Sequence, residues 1–140
     1  KLSLAALTST LMHYVKGEAT THIPIWRMIA CTESEIRSRA IKLQKMLGPE
    51  VSIHKGTSII GGGSLPGEVL PTWLLVIDGN TIRGGAAYLS HALRTGDTPV
   101  IGRIDNNKIL LDPRTILPED ESVFKDMVKL TLTNAKTQKI

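Results

Sequence analysis

The apolar residues at the start of the chain recur every three or four positions, which is the spacing of one face of an α-helix. The pattern predicts a helix over residues 2–16 that ends near Gly17. We expect an extended, proline-marked connector over residues 22–28 to follow it. The apolar face of the predicted helix consists of Leu4, Leu7, Leu11, Tyr14 and Val15.

A second helical pattern begins at a capping signal. Thr32 and Glu35 have the spacing of a capping box, in which both side chains bind amides at the start of a helix. Gly48 and Pro49 end the pattern. Its apolar positions are Ile36, Ala40, Leu43 and Leu47.

From Val51 onward the period changes to two and β-branched residues become frequent. Residues 51–60 predict one strand, and residues 72–78 predict a second, more buried strand. The glycine-rich segment between them is therefore interpreted as the bend that joins two strands.

The second half of the chain predicts a helix, a hairpin and a final helix. Residues 99–104 and 108–112 form the expected hairpin, around a turn whose asparagines tolerate positive φ. Pro118 and the acidic residues after it are typical of a helix start. The apolar faces of the two helices are expected to be Ile82, Ala86, Leu89 and Leu93, and Val123, Phe124, Met127, Val128 and Leu130.

This order of elements, α, α, β, β, α, β, β, α, predicts an α+β fold: an antiparallel sheet of about four strands covered by helices. We expect three segments along the chain. Residues 1–31 would form the N-terminal helix and connector, residues 32–134 the α+β domain, and residues 135–140 a flexible tail.

Composition narrows the class of protein. A chain of 140 residues with 41% hydrophobic residues is long enough for one buried core. No apolar run approaches the ~20 residues that cross a bilayer, so we expect a soluble protein without a membrane partner.

The single cysteine, Cys31, has no metal-ligand spacing around it, which predicts no metal site and fits a reducing cytoplasm. The net charge of +4 suits RNA, but the basic residues are scattered, and a mildly basic surface is the alternative.

The glycine-rich segment does not match a nucleotide-binding loop, because it lacks the lysine of a phosphate loop and is not followed by a helix. Two interpretations stay open: a plain bend, or a loop that faces a ligand with Gly62, Gly63 and Ser64. Ser64 has no neighbouring base in the sequence that would make it a nucleophile.

Two arginines are candidates for binding an anion. Arg114 lies between the exit of a buried strand and a helix start, where its planar guanidinium could be held toward a ligand or could form a salt bridge with Asp112. Arg103 lies in an alternating strand and is interpreted as a surface residue unless that edge faces a partner. Lys55, which follows His54, is a weak candidate for a Schiff-base lysine because the pair lies in an alternating strand.

Four segments, taken in order, resemble the C-terminal part of the bacterial L-seryl-tRNA(Sec) selenium transferases, the selenocysteine synthases. They are KLSLAAL at residues 1–7, IPIWRM at 23–28, GGGSLPGEVLPTW at 61–73 and the long block from LRTGDTPVIGRI to ILPEDE at 93–121. Each motif is weak by itself, but their combination is specific. The resemblance extends over about residues 1–130.

The resemblance implies the small C-terminal domain of a fold-type I pyridoxal phosphate enzyme, which makes selenocysteyl-tRNA from seryl-tRNA and selenophosphate. Related enzymes of this fold act on small amino or sugar acids, and a free-standing basic RNA-binding module is the alternative from another class. The implied partners are the large cofactor-binding domain, further copies of the protein and tRNA. The family's Schiff-base lysine belongs to a segment upstream of residue 1, so the chain alone is expected to be inactive and to hold no covalent cofactor. The small domain is expected to complete an active-site cleft together with the large domain. The residues expected to contact the substrate or to line this cleft are Arg114, Ser64, Gly62, Gly63 and Arg103.

Overall fold

The computed structural model describes residues 1–61 and 67–137 of the chain. These residues divide into two compact units, Lys1–Thr32 and Glu33–Ile140. Within the described ranges, no helix combines the length and the apolar character that a bilayer span requires.

The first unit consists of three helices. Helix α1 begins and ends close to the predicted positions, and Gly17 after it adopts a φ of 71°. The predicted extended connector is wrong: Pro24 takes the first position of a helix, where its missing N–H costs nothing. The helices are α1 (Leu2–Val15), α2 (Ala19–His22) and α3 (Pro24–Ala30).

Two side-chain contacts join these three helices. The rings of His13 and His22 are stacked with their centroids 4.8 Å apart. The indole N–H of Trp26 donates to the hydroxyl of Tyr14 over 2.7 Å. Nevertheless, no residue of α1 is buried.

The second unit is built on a four-stranded antiparallel sheet with the strand order β1-β2-β4-β3, which confirms the predicted fold class. The first two strands pair continuously from Val51 with Ile77 to Ile59 with Val69. The glycine-rich segment therefore joins two adjacent antiparallel strands, as predicted. The strands are β1 (Val51–Ile59), β2 (Val69–Asp78), β3 (Arg103–Asp105) and β4 (Lys108–Leu111).

Three helices and one face of the sheet enclose the core. Alternate residues of the central strands, such as Leu75, Ile77 and Ile109, point into it and are completely buried. The helices contribute the predicted apolar stripes of α4 and α5 almost without change. These helices are α4 (Glu33–Leu47), α5 (Gly85–Arg94) and α6 (Glu121–Thr137).

The hairpin departs from the prediction in its first strand, which begins at Arg103 rather than near residue 99. The N–H of Val100 donates to the carbonyl of Leu93 at the end of α5, so this part of the chain follows the helix instead of β4. The predicted turn is confirmed: Asn106 and Asn107 have φ angles of 47° and 56°.

The side chain of Asn107 also holds the start of α5. The side-chain oxygen of Asn107 accepts from the N–H of Ala86 at 3.0 Å. The backbone carbonyl of Asn107 accepts from the N–H of Gly79 at 2.8 Å. A Cβ on Gly79 would collide with that same carbonyl, so glycine is required at this approach.

Helix α6 differs from its predicted pattern. A short 3-10 turn, Pro118–Asp120, precedes it, and the helix extends past Asn134 to Thr137. Val123 and Leu130, which the sequence placed on the apolar face, are 44% and 52% exposed. The residues that enter the core are Phe124, Val128, Leu132 and Ala135.

Candidate functional site

A buried polar cluster lies at the end of the sheet where β1 ends, β2 begins and β4 ends. We call the parts of β1 and β2 that flank the glycine-rich segment its stems. We call Ser58, Thr72, Asp112 and Arg114 the stem cluster. Ser58 lies on the stem that enters the segment and Thr72 on the stem that leaves it, while Asp112 and Arg114 follow β4. The cluster therefore connects three strands at one point.

Asp112 is the centre of the stem cluster. Its carboxylate accepts hydrogen bonds from the hydroxyl of Ser58, from the hydroxyl of Thr72 at 2.9 Å and from the backbone N–H of Arg114 at 2.9 Å. Thr72 is completely buried and Ser58 almost so. Because buried hydroxyls are costly to leave without a partner, this carboxylate fixes the spacing of the two stems.

Arg114 is buried, with only 4% of its surface exposed. Its Nη2 donates to the carbonyl of Pro71 over 2.8 Å, directly beside Thr72 on the leaving stem. Its backbone lies in a short 3-10 turn, Pro113–Thr115, which Asp112 caps. The guanidinium is thus held against the backbone of β2, and its contact with a ligand stays a prediction.

Arg103 lies on the edge strand β3 and is exposed. Its Nη2 donates to the carbonyl of Thr57 over 3.3 Å. The bond closes one side of a groove of about 320 Å³ that also includes His54, Leu74 and Lys108. The guanidinium of Arg103 therefore reaches the stem that enters the glycine-rich segment, at Thr57, whose register partner Pro71 accepts from Arg114.

The remaining predicted site residues, Gly62, Gly63 and Ser64, lie outside the described residues. Their stems are described, and those stems are what the cluster holds.

Lys55 does not have the surroundings of a Schiff-base lysine. Its side chain is 64% exposed, and its amine lies 3.0 Å from a carboxylate oxygen of Glu33. A lysine that attacks a carbonyl is normally held in a desolvated pocket, whereas this side chain is largely in solvent. The imidazole of the neighbouring His54 lies 3.0 Å from the hydroxyl of Ser52.

A second polar network joins helices α4 and α6. The carboxylate of Glu121 accepts from Arg39 Nε at 2.8 Å and from Lys42 Nζ at 3.0 Å, and Arg39 also donates to the carbonyl of Ile116. Burial raises the pKa of Glu121, but the hydrogen bonds from Arg39 and Lys42 outweigh it, so the pKa lies below its ordinary value. This network fixes the start of α6 next to the turn that carries Arg114.

Sequence reasoning identified Arg114 but missed its partners Ser58 and Thr72. Hydroxyl residues in alternating strands normally face solvent, and no local signal separates these two from Ser52 or Thr57. The available signal was the aspartate two positions before Arg114, since Asp-Pro-x-Thr commonly caps a turn with its side chain. In the described ranges, no group of three His, Cys, Asp or Glu side chains lies close enough together to hold a metal ion.

The fold and the stem cluster define the class of this protein: an α+β domain in which a four-stranded antiparallel sheet holds a glycine-rich connection at one end. Comparison of its sequence with known families then assigns this protein to one family. The profile of the L-seryl-tRNA selenium transferase family (SelA) matches residues 1–117. The chain therefore belongs to this family, which confirms the resemblance seen in its motifs.

Individual relatives agree with the family match. The chain is 39% identical over 137 residues to the L-seryl-tRNA(Sec) selenium transferase of Moorella thermoacetica. It is 38% identical over 135 residues to that of Clostridium perfringens and 32% identical over 134 residues to that of Carboxydothermus hydrogenoformans. Each match covers 92% of this chain, which spans only about 29% of the length of the Moorella relative.

Proposed function

We propose that this chain is the C-terminal small domain of a pyridoxal phosphate-dependent selenocysteine synthase. The complete enzyme would convert seryl-tRNA(Sec) to selenocysteyl-tRNA(Sec) with selenophosphate, in the cytoplasm and as a homo-oligomer. Membership of the family and the names of the relatives support the reaction. The match to about 29% of a relative's length supports the role of one domain among several.

The observation that carries the domain role is the exposed apolar surface of helix α1. Leu2, Leu4 and Leu7 are 89%, 68% and 55% exposed, and Leu11 and Val15 are also exposed. A 14-residue helix gains little stability by itself in water and normally depends on packing of its apolar face. We therefore propose that residues 1–31 connect this domain to a large cofactor-binding domain, whose surface covers α1.

Lys55, the lysine that the sequence singles out, does not have the surroundings of a covalent site for pyridoxal phosphate. When bound in an enzyme, this cofactor supplies an electron sink for reactions at the carbon atoms of an amino acid. It needs an enclosed lysine, and Lys55 is exposed and ion-paired. We propose accordingly that the lysine belongs to the large domain and that the chain alone is not catalytic.

The contribution of this domain would be positional. The stem cluster holds both ends of the glycine-rich segment, so Gly62, Gly63 and Ser64 would be presented to the cleft from a rigid base. Arg114 would support the same base through the carbonyl of Pro71. Arg103 is the exposed guanidinium of the set and would contact an anionic group of the substrate.

The proposal is tested by reconstitution. The segment of the Moorella relative that this chain does not match would be produced separately and mixed with the chain, and co-elution and selenium transfer to seryl-tRNA would be measured. We expect association that is lost in the double variant Leu7→Ser, Leu11→Ser and kept in Thr8→Ala, an exposed polar position of the same helix. Equal association of both variants would contradict the docking role of α1.

A second test addresses the cofactor. The isolated chain would be incubated with pyridoxal phosphate, treated with borohydride and analysed by mass spectrometry. We expect no site-specific adduct. A stoichiometric adduct that disappears in Lys55→Ala but persists in Lys45→Ala would overturn the assignment of the lysine to the large domain.

The alternative function, a free-standing RNA-binding module, has one observation in its favour: the groove that contains Arg103, Lys108 and His54. It predicts tight and strongly salt-dependent binding of tRNA by the isolated chain. Filter binding at two salt concentrations, with Arg103→Gln compared with Arg94→Gln, separates the two functions.

A further alternative within the enzyme class is the same domain of an enzyme that acts on a small amino or sugar acid. In that case the reconstituted enzyme would prefer free serine over seryl-tRNA.

A further inference from the structure

A groove of about 320 Å³ lies on the face of the sheet opposite the core. We call it the sheet groove. Side chains alternate between the two faces along a strand, so the neighbours of Leu75, Ile77 and Ile109 point to this second face. The groove has an apolar floor of Leu74, Val76 and Leu110, and the ionisable side chains on the same face are Arg103, Lys108, His54 and Asp105.

The hydrogen bond from Arg103 to Thr57 shows that this face is concave. The two residues belong to β3 and β1, which are the edge strands of the sheet and are separated by β2 and β4. In a flat sheet these edges would lie roughly 14 Å apart, which is farther than one arginine side chain reaches. The sheet therefore coils toward the groove. As a result, Leu74 and Val76 are only 5% and 3% exposed, although they are not part of the helix-covered core.

Positive charge exceeds negative charge in the sheet groove. It contains the guanidinium of Arg103 and the amine of Lys108, against the single carboxylate of Asp105 on this face. Within residues 1–61 and 67–137, neither cation belongs to an ion pair. His54 adds an imidazole from β1. Groups that can donate to an anion thus approach the groove from three different strands.

The bond that Arg103 makes is one that an anion can replace. Its Nη2 donates to a neutral backbone carbonyl over 3.3 Å, which is longer than the usual distance of about 2.9 Å. A charged acceptor makes a bond roughly twice as strong. The planar fork of arginine matches phosphate oxygens, and a tetrahedral phosphate presents oxygens toward several strands at once. The apolar floor favours an organic group attached to that phosphate.

We propose that the sheet groove binds a phosphate ester, with the phosphate on Arg103 and Lys108 and the organic group on Leu74 and Val76. Binding would exchange the bond from Arg103 to Thr57 for a bond to the phosphate, so the entering stem of the glycine-rich segment would sense the ligand. Such a site deepens the role proposed above for Arg103, on which it rests. Either a free nucleotide or the backbone of an RNA could supply this chemistry.

The test uses the 140-residue chain labelled with ¹⁵N, at low salt. Adenosine, adenosine 5′-monophosphate and the dinucleotide adenylyl-adenosine, which has one phosphodiester and no terminal phosphate, would be titrated while amide shifts are recorded by NMR. We expect saturable shifts at His54 and Arg103 with the two phosphate-containing ligands and none with adenosine. The amide of Ser58, which follows the carbonyl of Thr57, should shift with them. Tighter binding of the monophosphate supports a free phosphate ester as the ligand, tighter binding of the dinucleotide supports RNA, and both agree with the proposal.

Three variants sharpen the test. Arg103→Gln should weaken binding of the monophosphate about fivefold and remove the shift at Ser58. Arg94→Gln, which changes an exposed arginine of α5, should do neither. Asp105→Asn should strengthen binding about twofold, because it removes the negative charge beside the phosphate. All three side chains are exposed, so these variants keep the fold testable.

Three outcomes would overturn the proposal. The first is the absence of saturable shifts with both phosphate-containing ligands. The second is binding of adenosine as tight as that of the monophosphate. The third is an equal loss of binding in Arg103→Gln and Arg94→Gln. None of these measurements depends on selenium transfer, so failure of the proposed reaction and failure of this site are distinguishable.

Discussion

Helices α1 and α4 have nearly the same length, 14 and 15 residues, and the sequence predicts both with equal clarity. Their burial is opposite. Helix α4 alternates charged residues with a narrow apolar stripe and buries all four members of that stripe, Ile36, Ala40, Leu43 and Leu47. Helix α1 contains no acidic residue and only one basic one, His13, yet buries nothing.

The difference shows that apolar character alone does not bury a helix. A helix is buried when another surface matches its apolar face, and α4 finds that surface on strands β1 and β2. Helix α1 finds none that buries it among the described residues of its own unit. The proposed large domain would supply it, and the following changes test the contrast, starting with the largest expected effect.

Truncating a buried side chain of helix α4 should destabilise the chain severely. Leu43 is completely buried, and we expect Leu43→Ala to reduce the free energy of unfolding by about 2–5 kcal/mol because it leaves a cavity. Urea unfolding followed by circular dichroism measures this loss. Lys45→Ala, on the exposed side of the same helix, is the control, and a similar loss in both variants would contradict the packing described for α4.

Removing the centre of the stem cluster should have the next largest effect. Asp112→Ala leaves the buried hydroxyl of Thr72 and the hydroxyl of Ser58 without their acceptor, which we expect to cost about 1–3 kcal/mol. Asp105→Ala removes an exposed carboxylate of β3 and serves as the control. In a double-mutant cycle with Thr72→Val, the two changes should be strongly non-additive. Additive losses would mean that the stems are held by something other than Asp112.

Acid should weaken the connection between α4 and α6. The pKa of Glu121 is lower in the folded chain than its ordinary value of 4.5, so its ion pairs add stability above that pH and lose it as the pH falls through the folded pKa. Glu121→Gln should cost about 1 kcal/mol at neutral pH and flatten the pH dependence of unfolding below about pH 5. Glu50→Gln, whose exposed carboxylate pairs with Lys136, should change the profile less. A steeper acid dependence in Glu121→Gln would contradict the direction given for this pKa.

The smallest effect is expected on α1. Leu7 is 55% exposed, so Leu7→Ala should change the free energy of unfolding of the chain by less than about 0.5 kcal/mol. The same substitution in the complete protein should cost several times more if another domain covers this face. Comparing thermal unfolding of the two forms measures that difference, and equal, small effects in both would leave α1 without the proposed partner.

The elements that sequence predicted best are those whose periodicity is long and uninterrupted. Helices α1 and α4, strands β1 and β2 and the asparagine turn all lie close to their predicted positions. The failures have local causes. Pro24 starts a helix, although the pattern predicts an extended connector there, and Val100 bonds to the end of α5 instead of joining the hairpin.

The candidate site was predictable only in part. Arg114 was identified from its position after a buried strand, and that position is correct. Its burial and its bond to Pro71 depend on β2 lying next to β4, which brings together residues 43 positions apart. Ser58 and Thr72 join Asp112 for the same reason, because strand pairing decides which hydroxyls reach the carboxylate.

By itself the sequence determined the periodicity of the main helices and strands, the α+β class and, through its ordered motifs, the family. These properties follow from local patterns, in which each residue's preference for a helix, strand or turn adds to its neighbours'. Tertiary structure alone decided which apolar faces are buried and which polar groups meet. Helix α1 shows the first, since its apolar face stays exposed, and the stem cluster shows the second. Both depend on surfaces brought together by packing, and no local pattern specifies the partner of a surface.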